Sequence, residues 1–335
     1  MERSVRSAAP KQDEAAVAEE RENGATALAD DPWPVPRQEV LGTRDGFMAH
    51  VEDIAANVAL SSVASLPPAL RAPIVSGVAR LGRRFDKRHT EAARRFLTQA
   101  FGELPEDELE ARVLQAWRHF LTVVLETQGF DRNVPAAELL EHYDVELCER
   151  ARELSHSGTG CIFVTAHIGN WEAAAALAPR LGFAPFYAIA KPPRNRPLSR
   201  RIQRVREGRR VRLLPRRGAM KDAPAILAAG GTLGMLLDQR ALTKPVYAPF
   251  FGRPARCDRS AGVLIRRLRA PVLIAACYRT EEPYRYKGVI PTVLTADELE
   301  GQSPEEISTR INQELEALIL AAPEQYFWLH DRYRE

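Results

Sequence analysis

From Gly160 onward the sequence alternates short apolar runs with amphipathic segments, and this alternation restricts the fold more than any other feature. The runs cover 161–165, 186–190, 211–214, 233–237 and 272–278. Each has the length of a strand buried on both faces, and the segments between them have helical length and pattern. Helices are expected at about 171–181, 197–207, 219–229, 258–269 and 304–321. Ser303-Pro304-Glu305-Glu306 opens the last of these with a capping box and a proline at the first helical position. Strands alternating with helices predict an α/β fold with a central mixed, partly parallel sheet flanked by helices.

A different texture precedes it. Residues 1–40 are rich in Ala, Glu, Arg and Asp, with Pro34 and Pro36 near the end. So few bulky apolar side chains cannot offset the entropy of ordering, and a disordered polar tail is expected. A helical N-terminal unit is expected over 41–157 and the α/β domain over 158–335. Within the helical unit, Leu109, Val113, Trp117, Phe120 and Val124 recur at spacings of three and four, which marks one buried helix face. A further helix is expected over 135–156. Residues 54–70 carry no charge, but Asn57, three serines and Pro67-Pro68 interrupt the run, which is too short and broken to span a bilayer. It reads either as a helix at a membrane surface or as a buried helix of the N-terminal unit. The first thirty residues are polar and charged, unlike a secretory signal. Cys148, Cys161, Cys257 and Cys277 form no C-x-x-C pair, so neither a metal site nor a disulfide framework is expected, and reduced thiols suit a cytosolic compartment.

Charge is unevenly spread. The net charge is +3, yet residues 1–150 hold 18 basic and 26 acidic side chains and residues 151–335 hold 29 and 18. Residues 191–221 alone carry 13 basic side chains against Glu207. Such density calls for a compensating anion: nucleic acid, anionic lipid, a phosphorylated substrate or an acidic carrier protein. The segment contains no aromatic residue for base stacking, and no zinc-finger or RNP signature appears, so nucleic acid is not expected as a partner.

Three segments carry candidate chemistry. His167-Ile168-Gly169-Asn170-Trp171-Glu172 follows the first apolar run, at the strand end where ligands gather in open α/β sheets. There His167 is a candidate general base, with Glu172 folding back to hold the imidazole; a strand-end histidine of structural role is the alternative. Asn170 would hold the loop or bind substrate. The spacing is weak by itself, since His330 and Glu335 repeat it. Asp238-Gln239 ends another apolar run and faces the same edge. Phe250-Phe251-Gly252 would wall an apolar pocket or pack in the core. There is no G-x-S-x-G elbow, P-loop or G-x-G-x-x-G. No nucleophile adjoins His167, so direct transfer to a hydroxyl is the simpler scheme.

These segments, in this order, resemble the bacterial lipid A late acyltransferases (lauroyl/myristoyl acyltransferases), a family that also contains phosphatidylinositol mannoside acyltransferases. The family's His-x-x-x-x-Asp/Glu motif matches His167 to Glu172. Its Arg-Pro, Asp-Gln/His and Phe-Phe-Gly segments resemble Lys191-Pro192 with Arg194-Asn195, Asp238-Gln239 and Phe250-Phe251-Gly252. Its C-terminal signature resembles Ala322-Pro323-Glu324-Gln325-Tyr326-Phe327-Trp328-Leu329-His330. The resemblance implies acyl transfer from acyl carrier protein or coenzyme A to a hydroxyl of a lipid A-like or other glycolipid. It makes His167 the base held by Glu172, and Lys191, Arg194 and Arg216 phosphate binders. Asp238 and Gln239 would organise substrate, Phe250 and Phe251 would wall the acyl groove, and no metal or cofactor is implied. It also places the protein peripherally on the cytoplasmic face of the inner membrane, against anionic lipid. A non-catalytic anionic-membrane module of the same fold is the competing reading. The sequence departs from the family at the polar N-terminus, at Lys191 in place of Arg, and at Asp331 in place of Arg.

Overall fold

The computed structural model describes residues 33–333. The strands are β1 (Tyr143–Leu147), β2 (Cys161–Thr165), β3 (Phe186–Ala190), β4 (Val211–Pro215), β5 (Thr232–Leu236), β6 (Val246–Phe250), β7 (Arg253–Cys257), β8 (Val272–Arg279) and β9 (Tyr286–Leu294). Seven of them form one sheet in the order β1-β9-β8-β2-β5-β3-β4, while β6 and β7 pair as a separate antiparallel hairpin. Strands β8, β2, β5, β3 and β4 run parallel, and β9 runs against β8. The sheet is therefore mixed and mostly parallel, as the alternation predicted. Central β2 is buried at all five positions, which its uninterrupted apolar run requires.

The helices are α1 (Phe47–Ala64), α2 (Pro68–Phe85), α3 (Lys87–Phe101), α4 (Glu106–Asn133), α5 (Glu149–Ser157), α6 (Trp171–Leu177), α7 (Arg196–Gly208), α8 (Ala219–Ala228), α9 (Arg259–Leu268) and α10 (Pro304–Ala321). Ser303 caps α10 through the expected box, its hydroxyl accepting from Glu306 N and Glu306 reaching back to Ser303 N. Long α4 buries Leu109, Val113 and Trp117; the face then drifts to Val123, Glu126 and Phe130 rather than Val124, as 3.6 residues per turn demands.

Two expectations need correction. No single helix covers 135–156: a short 3-10 turn, then β1, then α5 occupy it. Tyr143-Asp144-Val145-Glu146-Leu147 alternates apolar and acidic residues, which suits an edge strand beside β9. The sheet thus begins inside the segment expected to be helical. Of the polar tail, residues 1–32 lie outside the described residues, but residues 33–40 are packed. Trp33 meets Tyr187 edge-on at 5.2 Å, under the Arg212 guanidinium, and the Tyr187 hydroxyl donates to Val35 O at 2.9 Å. Val40 N donates to Gln203 Oε1 at 3.0 Å.

Much of the basic stretch finds its anions within the chain. Arg201 meets Asp53 of α1 at 3.0 Å, Arg209 meets Asp131 of α4 at 2.7 Å, and Arg216 pairs with Asp258. The acidic N-terminal helices and basic α7 thus meet along one seam. Lys191, Arg194, Arg200, Arg204, Arg217 and Lys221 remain exposed.

Helices α1 and α2 both pack on α4 yet turn apolar stripes to solvent. On α1 these are Phe47, Val51, Ile54 and Val58, with Met48 beside them; on α2 they are Leu70, Ile74, Val78, Leu81 and Phe85. No described helix is long and apolar enough to cross a membrane.

Candidate active site

Parallel pairing of β2 with β5 sets Thr165 opposite Leu236, and Leu237 N extends the ladder to Thr165 O at 3.2 Å. Each chain then runs on to a polar residue, His167 on one side and Asp238 on the other. They meet. Asp238 Oδ1 accepts from His167 Nδ1 at 2.8 Å, and Oδ2 accepts from the His167 backbone N–H at 2.9 Å. Burial by itself would raise the Asp238 carboxyl, but His167 first and Arg332 after it override that and hold it at about 2. A carboxylate fixed at both oxygens dictates the tautomer: Nδ1 carries the proton, and Nε2 keeps a lone pair. Gln239 Nε2 approaches that Nε2 at 3.4 Å, and the Trp171 ring stands edge-on to the imidazole at 5.0 Å.

Asp238, not Glu172, therefore holds the imidazole. Glu172 opens α6 and turns to α7, where Arg206 grips it with Nε at 2.9 Å and Nη2 at 2.5 Å. Burial would raise the Glu172 carboxyl as well, yet Arg206 keeps it below the ordinary range, with Arg209 and His167 adding to the effect. The bidentate guanidinium aims both Glu172 oxygens at α7, and the imidazole proton goes to Asp238 instead.

The loop between β2 and α6 is braced from outside. Gly169 has φ 56°, and a Cβ there would sit 1.9 Å from Cys277 O, so the position excludes any side chain. Gly169 N donates to Gln325 O at 2.8 Å, Asn170 N to Cys277 O at 2.7 Å, and Phe327 N to His167 O at 3.0 Å. The Gln325 carboxamide brackets Arg279, accepting from its N at 2.8 Å and donating to its O at 2.9 Å. Asn170 is not a substrate contact: it is fully buried, caps α6 through Ala173 N at 3.1 Å and donates to Glu126 and Tyr286 at 3.3 Å each. The aromatic C-terminal segment is thus the buttress of the His167 loop.

His167 opens onto a cavity of about 310 Å³ beside the carboxyl ends of β2, β3, β4 and β5. Ala175, Ala188, Ile189, Met220, Met235 and Leu264 make its apolar walls; Lys191, Arg206, Arg216, Gln239 and Arg240 contribute polar groups, with the Glu172 and Asp258 carboxylates paired to Arg206 and Arg216. Lys191 and Arg216 both line it, Arg216 in its pair with Asp258. Arg194 does not line the cavity; its carbonyl accepts from Arg44 N at 2.8 Å and its side chain is exposed. Phe250 and Phe251 are also elsewhere. Phe250 is fully buried, and both rings pack on Phe96 of α3, at 6.2 and 6.4 Å, because the β6–β7 hairpin turns away from the cavity. Asp331 pairs with Arg95 of α3 at 2.7 Å and lies outside the site. Sequence reasoning passed over Trp171, Arg206, Met220 and Met235 as cavity residues. Trp171 lies inside the His167 motif and Arg206 inside the basic stretch, but nothing local marks Met220 or Met235.

The family model for bacterial lipid A biosynthesis acyltransferases matches residues 49–335. The chain belongs to this family. It is 23% identical over 258 residues to a lipid A biosynthesis palmitoleoyltransferase of Escherichia coli (strain K12), covering 76% of this chain and 81% of the relative. A lipid A biosynthesis acyltransferase of Shigella flexneri matches to the same extent. The protein is an acyltransferase, and its family acts in lipid A biosynthesis.

Proposed function

We propose that the cavity takes the acyl chain of an acyl carrier protein or coenzyme A thioester, and that His167 activates a hydroxyl of a lipid A-like or related glycolipid acceptor. The observation that carries this reading is the His167–Asp238 pair at the lip of a cavity with apolar walls and a cationic mouth. Nε2 accepts the hydroxyl proton while the alkoxide oxygen attacks the thioester carbon. Asp238 stabilises the imidazolium that forms. Gln239, already beside Nε2, is a donor placed to meet the oxyanion of the tetrahedral intermediate. The C–S bond then breaks, and the leaving thiolate takes the proton from the imidazolium. Lys191 and Arg216 recognise phosphate on donor or acceptor. Proton transfer and thioester chemistry require no redox cofactor. Glu172 and Arg206 join α6 to α7 and keep the cavity wall in place.

The apolar stripes of α1 and α2 support docking on the cytoplasmic face of the inner membrane. Stripes at spacings of three and four are built to be buried, and exposed Arg80, Arg84, Lys87 and Arg88 beside them suit anionic headgroups. The test is acyl transfer to a hydroxyl-bearing lipid A precursor, read by mass spectrometry with each thioester donor. Wild type should transfer and folded His167→Ala should not. Vesicle binding by wild type without transfer from either donor would instead favour the non-catalytic membrane module.

A further inference from the structure

Arg332 is the largest completely buried side chain among the described residues, and none of their carboxylates forms an ion pair with it. Its Nη1 donates to Gln239 O and, at 3.1 Å, to Arg256 O; Nη2 lies 3.1 Å from Cys257 Sγ. Its Nε has no hydrogen-bond partner among the described residues, and its guanidinium sits 5.4 Å over the Phe250 ring. Burying a full charge against neutral acceptors is costly unless an opposite charge is near. The nearby opposite charge is Asp238, 2% exposed and acted on electrostatically by Arg332. The carbonyl that Arg332 grips belongs to Gln239, which follows Asp238 and presents its carboxamide to His167 Nε2.

We infer that Arg332 is a positioning residue for acyl transfer, fixing the Asp238–Gln239 turn and supplying the buried positive charge that sets the proton affinity of the His167–Asp238 pair. This rests on the proposed role of His167. It touches neither the cavity nor His167; it acts through the turn. Other charged and titratable groups surround the pair: Glu172 of α6 with Arg206 of α7, Arg240 after the turn, and Tyr326 and His330 of the C-terminal segment. His330 also holds the chain here, its Nε2 accepting from Arg240 N at 3.2 Å, but Arg332 alone among these groups grips the Gln239 carbonyl. Removing a buried cation makes protonation of its neighbours easier, so the acid limb of the reaction should move to higher pH.

The experiment is the pH profile of kcat/KM for wild type, Arg332→Lys, Arg332→Met and Arg332→Gln, each checked for folding by circular dichroism. The neutral variants should move the acid limb up by about half a pH unit or more and lower kcat more than about tenfold with KM little changed. Arg332→Lys should keep the wild-type limb. Arg332→Gln keeps a donor for the Gln239 carbonyl and serves if the Met variant does not fold. A limb unmoved in a folded neutral variant, or failure of both neutral variants to fold, overturns the inference, because either marks a purely structural role. Wild type lacking transfer, or folded His167→Ala retaining it, overturns the reading of His167 instead.

Discussion

Asp238→Asn separates the two candidate partners of His167. The carboxylate accepts from both the backbone N–H and Nδ1 of His167, at 2.9 and 2.8 Å. An amide can accept from only one of them, because its NH₂ opposes the other donor. The tautomer with Nδ1 protonated is then no longer enforced. The charge that stabilises the imidazolium disappears as well. With charge centres about 4 Å apart and an effective dielectric of about 20, that is worth ~4 kcal/mol. The expected loss in kcat is about a thousandfold. Because Asp238 is held at about 2, it is ionised wherever the enzyme would be assayed, and the loss should persist across the pH range. Glu172→Gln breaks a partly solvated bidentate pair, so it should cost roughly 1–3 kcal/mol of stability and far less rate per folded molecule. The assay is acyl transfer under saturating donor, with urea titration giving the folded fraction of each variant. Should Asp238→Asn stay within tenfold of wild type while folded Glu172→Gln falls a thousandfold, the pairing argued from the sheet is not the working one.

Other outcomes follow from the same geometry. Burial holds His119 at about 3 and His330 at about 4, below the ordinary 6.5, so the unfolded chain binds more protons than the folded one below that point. Stability should fall as pH drops from about 6.5 toward 4, by an amount of order 4 kcal/mol from His119 by about pH 3, as urea midpoints against pH would record. Gly169→Ala should lose more than about 2 kcal/mol of stability and most activity, since its Cβ collides with Cys277 O; near-normal thermal melting would contradict this. Phe250→Ala should cost about 3–5 kcal/mol without altering acyl-chain preference, whereas Met220→Phe should favour shorter donors; competition among acyl thioesters of different length decides both.

What the sequence disclosed follows from what each residue can show locally. Strands β2 and β3 were legible to the residue because both runs are apolar throughout, β2 being covered on both faces and β3 on its first half. Strand β1 is acidic at alternate positions, and the β6–β7 hairpin carries Pro249 and Pro254, so neither resembles a buried run. His167 was found from its place after β2, but its partner was misread. A residue five positions along is visible in the sequence. One 71 positions away becomes visible only once β5 is known to lie beside β2. The Phe-Phe-Gly turn erred for a related reason: hydrophobicity says that a side chain will be covered, not by what. The arginine run likewise looked like a site for an external anion, because the acids that meet it sit on helices distant in sequence.

The buttress of the His167 loop also has a meaning in time. A ribosome makes all nine described strands before it makes residues 323–332, so the sheet can form while the loop at its edge still lacks Gln325, Phe327 and Arg332. The nascent chain would carry its base and carboxylate early but receive their alignment last. A premature stop between Ala322 and Gln325 should therefore leave the His167 loop unbraced and the protein catalytically silent, and, with Tyr326, Trp328 and Leu329 gone from the core, less stable as well.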